Sequence, residues 1–467
     1  MGDYIKDAHN EGSESEGDMN NMNVYLGTEV KARGWNAKIM LAYYLAEYGF
    51  NVIVGPRDVT EKMALSDEGG VYIEKDFFHK RYVDFLRDLK KKKFLLYSYD
   101  EEGLIYQSDD FYIDSRTDVD TLNVLDKVFT WGKEENGLLV NAYPKIENKF
   151  IAVGNPRIDF ITEDLVENIY KKEIKEIKNQ YGRYILINST YSVYGDPIGA
   201  AKDENEVYKT HTNKDVWSKY SQLMIDDYKW YDKLFDSLID ALMYISPLVD
   251  CKIIIRVHPC ESMDKWKVLQ SLDNVVVTDK YDALPWVYNA EMLIHSNCTT
   301  GVEAALMGKK VISYMPFRNY DEKHNLPNAV SFSVSNKEDL LSAIKDKKAV
   351  KTNVEKFISN YIELGRENNN SCAKISKIIA GDAKIFGIKS KNIYNENLFN
   401  NFKIQLHALK NNLKRIIKGM ASNSNSKFPT ETMEMFEKRA RVIEKSLLMG
   451  KMKLVQISPN TFCISKK

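Results

Sequence analysis

Residues Glu291 to Pro316 read EMLIHSNCTTGVEAALMGKKVISYMP. The apolar run 292–295 stops at a cluster of small polar residues, Ser296, Asn297, Thr299 and Thr300. Gly301 opens a helix-forming run that Gly308 stops, and a second apolar run follows at 311–314. Period and punctuation predict strand, tight polar turn, helix, glycine stop and strand. Such a βαβ unit aims the first N–H groups of its helix at the carboxyl ends of the strands, where phosphate is held well. Ser, Asn and Thr add neutral donors, and Glu303 is placed to reach a ribose diol beside that phosphate. A second reading is purely local: Ser296, Thr299 or Thr300 caps the helix, and Glu303 is a first-turn acid suited to the dipole. The turn has neither a Walker nor a GxGxxG signature, so spacing alone leaves the two readings level.

Outward from this unit the chain alternates strand and helix signals. Upstream, apolar runs at 24–26, 51–54, 70–73, 94–97, 127–130 and 150–153 are separated by helical stretches, the clearest over 31–48. This predicts a parallel sheet covered on both faces, one α/β domain over 22–165. A charged helix over 162–180 leads to a strand at 184–188. Strands at 252–256, 275–277, 292–295 and 311–314 complete a second domain over 182–350. Two such sheets in succession predict an α/β protein whose two Rossmann-type domains face a cleft. Residues 1–21 are polar and acidic and read as a disordered leader. The polar stretch 189–215 reads as a functional or disordered loop.

Beyond 350 the pattern is of helices without strands, so 351–467 is expected to be a helical extension. Within it Phe402, Leu406, Leu409, Leu413 and Ile417 keep helical spacing beside Lys403, Lys410, Lys414, Arg415 and Lys418. A basic amphipathic helix over 389–418 either packs on its own protein or lies on an anionic membrane.

Lys+Arg and Asp+Glu are equal at 66 each, so no global field favours nucleic acid, and an anionic ligand needs a local site. The 5 cysteines are scattered without a CxxC pair, which fits a reducing cytoplasm and argues against disulfides or structural zinc. No apolar run approaches the roughly 18–20 residues that span a bilayer.

Three further places carry chemistry. Arg256 and His258, in RVHP at 256–259, close a strand at the edge where open α/β sheets bind ligands, with His295 expected beside them. Asp100, Glu101 and Glu102 follow a strand of the first domain, and acids there supply a general base or a nucleophile, or form a solvated surface loop. Gly154-Asn-Pro-Arg157 ends the last strand of that domain, so Asn155 shapes a turn, and either Arg157 reaches an anion across the cleft or the segment is a plain turn. Glu29, Lys31 and Arg33 occupy the same rim.

With these residues in view, the chain resembles the surface carbohydrate biosynthesis protein family, bacterial glycosyltransferases with the GT-B architecture. The resemblance rests on VYLGTEVKARGWNAKIMLAYYLAEYGFNVIVG at 24–55, SYDEEGLI at 98–105, FTWG at 129–132, VGNPRID at 153–159, RVHPCE at 256–261 and LIHSNCTTGVEAALMGKKVISYMP at 293–316. The family is related to capsule transferases that use a CMP-activated ulosonic acid, Kdo or a nonulosonic acid. The resemblance therefore implies a CMP-sugar donor and a glycan or lipid-linked acceptor, at the cytoplasmic side of the cell membrane. It implies that Ser296, Asn297, Thr299 and Thr300 grip phosphate and Glu303 the ribose. Arg256 and His258 would hold phosphate or the sugar carboxylate, and Glu101 or Glu102 would act as base or nucleophile. No DxD-like motif follows a strand, in keeping with GT-B enzymes that need no metal or other cofactor. Rival readings are a polyol-phosphate transferase, a UDP-sugar-using GT-B enzyme or epimerase, and a noncatalytic assembly protein that binds a nucleotide sugar.

Overall fold

The computed structural model describes residues 22–77, 82–161, 163–191, 214–258, 261–317, 325–365, 369–387 and 428–467. The expected leader 1–21, most of the polar stretch 189–215 and the basic helix 389–418 lie outside them.

Two sheets organise the chain. The first contains β1 (Asn23–Thr28), β2 (Asn51–Pro56), β3 (Gly70–Glu74), β4 (Phe94–Tyr99), β5 (Lys127–Thr130) and β6 (Phe150–Ala152). These run parallel in the order β2-β1-β3-β4-β5-β6. The second contains β7 (Tyr184–Asn188), β8 (Lys252–Arg256), β9 (Val275–Thr278), β10 (Met292–His295), β11 (Lys310–Tyr314) and β12 (Phe332–Val334), all parallel, in the order β12-β11-β10-β7-β8-β9. The runs YILIN and KIIIR are β-branched and almost wholly buried, as strands covered on both faces must be.

The expectation of a tail without strands is corrected at its far end. β13 (Lys453–Ser458) and β14 (Thr461–Ser465) form an antiparallel hairpin, and β14 pairs antiparallel with β2, extending the first sheet to eight strands. Pro459-Asn460 is the turn, with Asn460 at φ 58, a left-handed angle that asparagine tolerates. All of TFCIS is buried. The sequence signal is two short β-rich runs around a Pro-Asn dipeptide.

The helix Lys31–Glu47 is buried almost all round, because the sheet covers one side and later segments of chain the others. Trp35 meets Phe428, Phe436 and Phe462 edge-on or tilted, and Phe436 stacks on Phe462 at 3.9 Å between centroids. One apolar cluster runs from this helix to Trp286 and Leu293 of the second domain, so the two sheets share a continuous core.

Candidate active site

At the end of β4 the three acids separate into two roles. Asp100 is fully buried: its carboxylate receives Nε and NH2 of Arg116 and the Glu102 N–H at 2.9 Å. Burial pushes its pKa up and Arg116 pulls it back. Its carbonyl accepts from the Trp131 indole at 2.6 Å and from Asn155 Nδ2 at 3.4 Å. Asp100 is thus a strut of the loop in this structure. Glu101, half-buried, and Glu102, exposed, line a small pocket with Gly34, Ala37, Tyr99, Asn155 and Arg157. Lys38, buried on the helix Lys31–Glu47, lies 2.7 Å from Glu101 Oε1.

Arg157 comes from the short helix Pro156–Phe160, capped by the Asn155 side chain, which accepts the Arg157 N–H at 3.0 Å. Gly154 sits at φ 93, and a Cβ there would collide with the Glu363 carbonyl, so this entry turn needs glycine. The Arg157 guanidinium forms an ion pair with Glu303 of the second domain. Burial disfavours its charge, but Glu303, then Glu102 and Glu101, more than offset this and raise its pKa. Glu303, expected on a ribose, is held by Arg157 in this structure.

Other contacts cross the same seam. Ile105 forms a backbone bridge with Asn325. Gln107 donates to Asp227 at 3.3 Å, Tyr220 donates to Asp114 at 2.6 Å, and Phe111 meets Tyr220 edge-on.

The 295–300 turn is tied into its own domain. His295 is fully buried; its Nδ1 accepts the Cys298 N–H at 3.3 Å and its Nε2 lies 2.9 Å from Ser331 Oγ. Ser331 donates its own hydroxyl proton to Pro327, so the hydrogen bonds assign the proton to Nε2. Burial lowers the His295 pKa to about 3, leaving the ring neutral. A Cβ on Gly301 would stand 2.5 Å from that ring, which is why glycine follows the turn. His295 therefore supports the backbone of the turn in this structure.

Ser296 donates to the Tyr314 carbonyl at 2.7 Å and accepts from Tyr191. Asn297, at φ 56, accepts the side-chain amides of Asn325 and Asn328. Thr300 accepts from Asn188 at 2.8 Å. These three side chains are likewise engaged within the domain in this structure. Thr299 is half-buried and forms no side-chain cap for the helix Thr300–Leu306.

Arg256 is buried at the end of β8 and donates to the Tyr281 carbonyl at 3.4 Å. Its charge bears on Asp282, which accepts from Tyr170, which in turn accepts from Asn36 at 2.8 Å. Arg256 thus bears on a stretch of the seam around Tyr281 and Asp282. His258 is half-buried after β8, and its carbonyl accepts the Glu261 N–H at 2.8 Å. On the first-domain rim, Glu29 pairs with Lys75 at 2.9 Å and Lys31 with Glu431; the Arg33 side chain lies outside the described residues. The structure brings together Glu101, Glu102, Asn155, Arg157 and Glu303. Sequence reasoning missed Lys38, Arg116, Asn325 and Asn328. The repeated asparagines of NLPNAV, after β11, were the available signal for the last two.

Among the described residues no group of three or more His, Cys, Asp or Glu could hold a metal ion. None of their helices is long and apolar enough to cross a membrane.

No family model matches the chain, and no curated protein does. Solved structures do. The UDP-GlcNAc 2-epimerase of Methanocaldococcus jannaschii superposes with a TM-score of 0.50 at 13% identity, over 77% of this chain and 99% of its own. The fold is GT-B-like. The UDP-GlcNAc 2-epimerase of Neisseria meningitidis, bound to UDP-GlcNAc, has a TM-score of 0.46 at 14% identity, over 79% of this chain and 100% of its own. The wall teichoic acid polymerase TagF has a TM-score of 0.46 at 12% identity, over 78% and 89% respectively. Likeness at these identities speaks to the fold alone.

Proposed function

We propose that this protein is a glycosyltransferase of bacterial surface-glycan synthesis that moves Kdo or a nonulosonic acid from a CMP-activated donor to a glycan acceptor on the cytoplasmic side of the membrane. One observation carries the reading. Glu101 and Glu102 share a pocket with Arg157, and Arg157 touches Glu303, in the helix that opens from the 295–300 turn. An acid pair and an anion-binding arginine thus meet at the seam of a two-domain fold. The CMP and ulosonic acid assignments come from the sequence resemblance.

In the proposed reaction Glu101 takes the proton of an acceptor hydroxyl as its oxygen bonds to the anomeric carbon. The bond from that carbon to the donor phosphate breaks, and the phosphate oxygen keeps the electron pair. Glu102 stabilises the oxocarbenium-like charge, as a nearby carboxylate does in glycosyl chemistry. Arg157, released from Glu303, binds the departing phosphate or the sugar carboxylate.

Incubation with CMP-Kdo, CMP-nonulosonate, UDP-HexNAc and CDP-glycerol side by side tests this. Transfer or hydrolysis of a CMP-sugar is expected; turnover of CDP-glycerol alone would overturn the sugar-transfer reading. A UDP-sugar epimerase, an alternative consistent with the shared fold, would be detected in the same assay as an epimer formed without transfer.

A further inference from the structure

Beneath the acidic loop lies a carboxyl group that the proposed chemistry does not use. Glu135 opens the helix Lys133–Ala142 and is buried. Its Oε2 accepts the backbone N–H of Trp131 at 2.6 Å, and its Oε1 accepts the Tyr112 hydroxyl at 2.6 Å. The same Trp131 holds the Asp100 carbonyl through its indole. A Cβ on Gly103 would stand 3.3 Å from Glu135 Oε1 and from Trp131, so the loop backbone rests directly on this pair. A glutamate that merely caps a helix reaches back to a nearby N–H while its carboxylate stays in water. Glu135 instead has a second donor from another helix and no access to solvent.

We propose that Glu135 is the positioning residue on which the loop Asp100–Gly103 stands, and that its protonation state sets the geometry of Glu101 and Glu102. Burial, then the neighbouring Asp100, push its pKa up to about 8 against the pull of Tyr112, the Trp131 N–H and Arg116. Facing it are Asp100 of the loop and Tyr112 and Arg116 of the helix Asp109–Arg116. Tyr106 also feels its charge, and Glu134 precedes it on its own helix. Neutral Glu135 lies quietly beside ionised Asp100. Ionised, it places a second negative charge against Asp100 in a buried site, and the loop is pushed outward. The inference concerns the site of the reading above, but its test needs no turnover.

The full chain labelled with 5-fluorotryptophan gives one fluorine signal for each of its 6 tryptophans, and Trp131→Phe identifies that of Trp131. The Trp131 signal is expected to titrate with a midpoint near 8, and Glu135→Gln to abolish the titration. Tyr112→Phe removes a donor to the carboxylate and is expected to move the midpoint up. Amide exchange of residues 100–104 is expected to rise about tenfold in Glu135→Ala but not in Glu135→Gln, whose amide oxygen can accept the Trp131 N–H while its NH2 donates to the Tyr112 hydroxyl oxygen. A Trp131 signal that is static from about pH 6.5 to 9.5, or one that still titrates in Glu135→Gln, overturns the proposal. So does equal exchange in the Ala and Gln variants. Any of these results leaves the sugar-transfer reading standing, and absence of transfer leaves this one intact.

Discussion

The loop at 100–102 and the turn at 295–300 are both polar, both follow a strand of a parallel sheet, and both lie near the same seam. They use their side chains differently. In the loop, Asp100 is tied down by Arg116 and Trp131, and its two successors line the pocket, each with a basic side chain of its own domain nearby: Lys38 at 2.7 Å from Glu101 and Arg116 at 3.7 Å from Glu102. In the turn, His295, Ser296, Asn297 and Thr300 all bond within their own domain. Polar residues at a strand end are therefore ambiguous: the ones the backbone needs are consumed by it, and on the proposed reading chemistry falls to their neighbours.

The sharpest way to test this contrast is Glu101→Gln. On the proposed reading transfer falls by about 10²–10⁴-fold, the span of general base catalysis, while thermal shift by CMP is unchanged. Equal loss of CMP binding would mean that the loop is structural, like the turn.

Arg157→Met strands Glu303 as an unpaired, nearly buried carboxylate and is expected to cost about 3 kcal/mol in chemical denaturation, the low end for such a pair because Arg157 retains some solvent contact. The double variant Arg157→Met/Glu303→Gln should recover most of this. Failure to recover would show that the two domains are not linked through the pair.

Asn297→Ala removes the acceptor shared by Asn325 and Asn328 and places alanine at a left-handed φ, for about 2 kcal/mol in total. Asn297→Gly should lose less, since glycine accepts that φ. Equal losses would assign the effect to the hydrogen bonds alone.

Glu135 makes stability depend on pH. Its folded pKa of about 8 lies above the ordinary carboxyl value, so between the two the folded state holds a proton that the unfolded state has released. Its contribution is therefore complete in acid, declines as pH rises toward 8, and is level beyond. Denaturation at pH 5, 7 and 9 should show Glu135→Gln gaining on the parent chain up to about pH 8. A constant gap would deny the shift. At the bottom of the scale, Lys219→Ala cuts an exposed pair with Asp114 and should leave the melting temperature unchanged.

The architecture was legible because parallel strands such as YILIN and KIIIR announce themselves as short apolar runs between helices. Glu101, Glu102, Asn155, Arg157 and Glu303 were legible because they follow strand ends. The supporting residues were not. Lys38 sits inside a helix whose pattern gives no reason to expect a buried amine, and Arg116 and Glu135 read as ordinary helix-end charges. Their roles depend on which elements the fold lays over one another, and no local period records that. The terminal hairpin was missed because β13 is half-exposed and short, and its meaning depends on β2 at the other end of the chain. Its place in the first sheet also means that deleting the tail tests the integrity of that sheet first.

The hairpin also has a consequence in time. Gly450 donates to Glu47 across 403 positions of sequence, and β14 pairs with β2 just beyond. A ribosome releases β2 early, and its free edge stays open until the hairpin emerges. The second sheet, built from one continuous stretch, has all its partners earlier. The lobe made first is thus finished last, and a nascent-chain pulse should find the downstream lobe protease-resistant while the upstream one is still being cut.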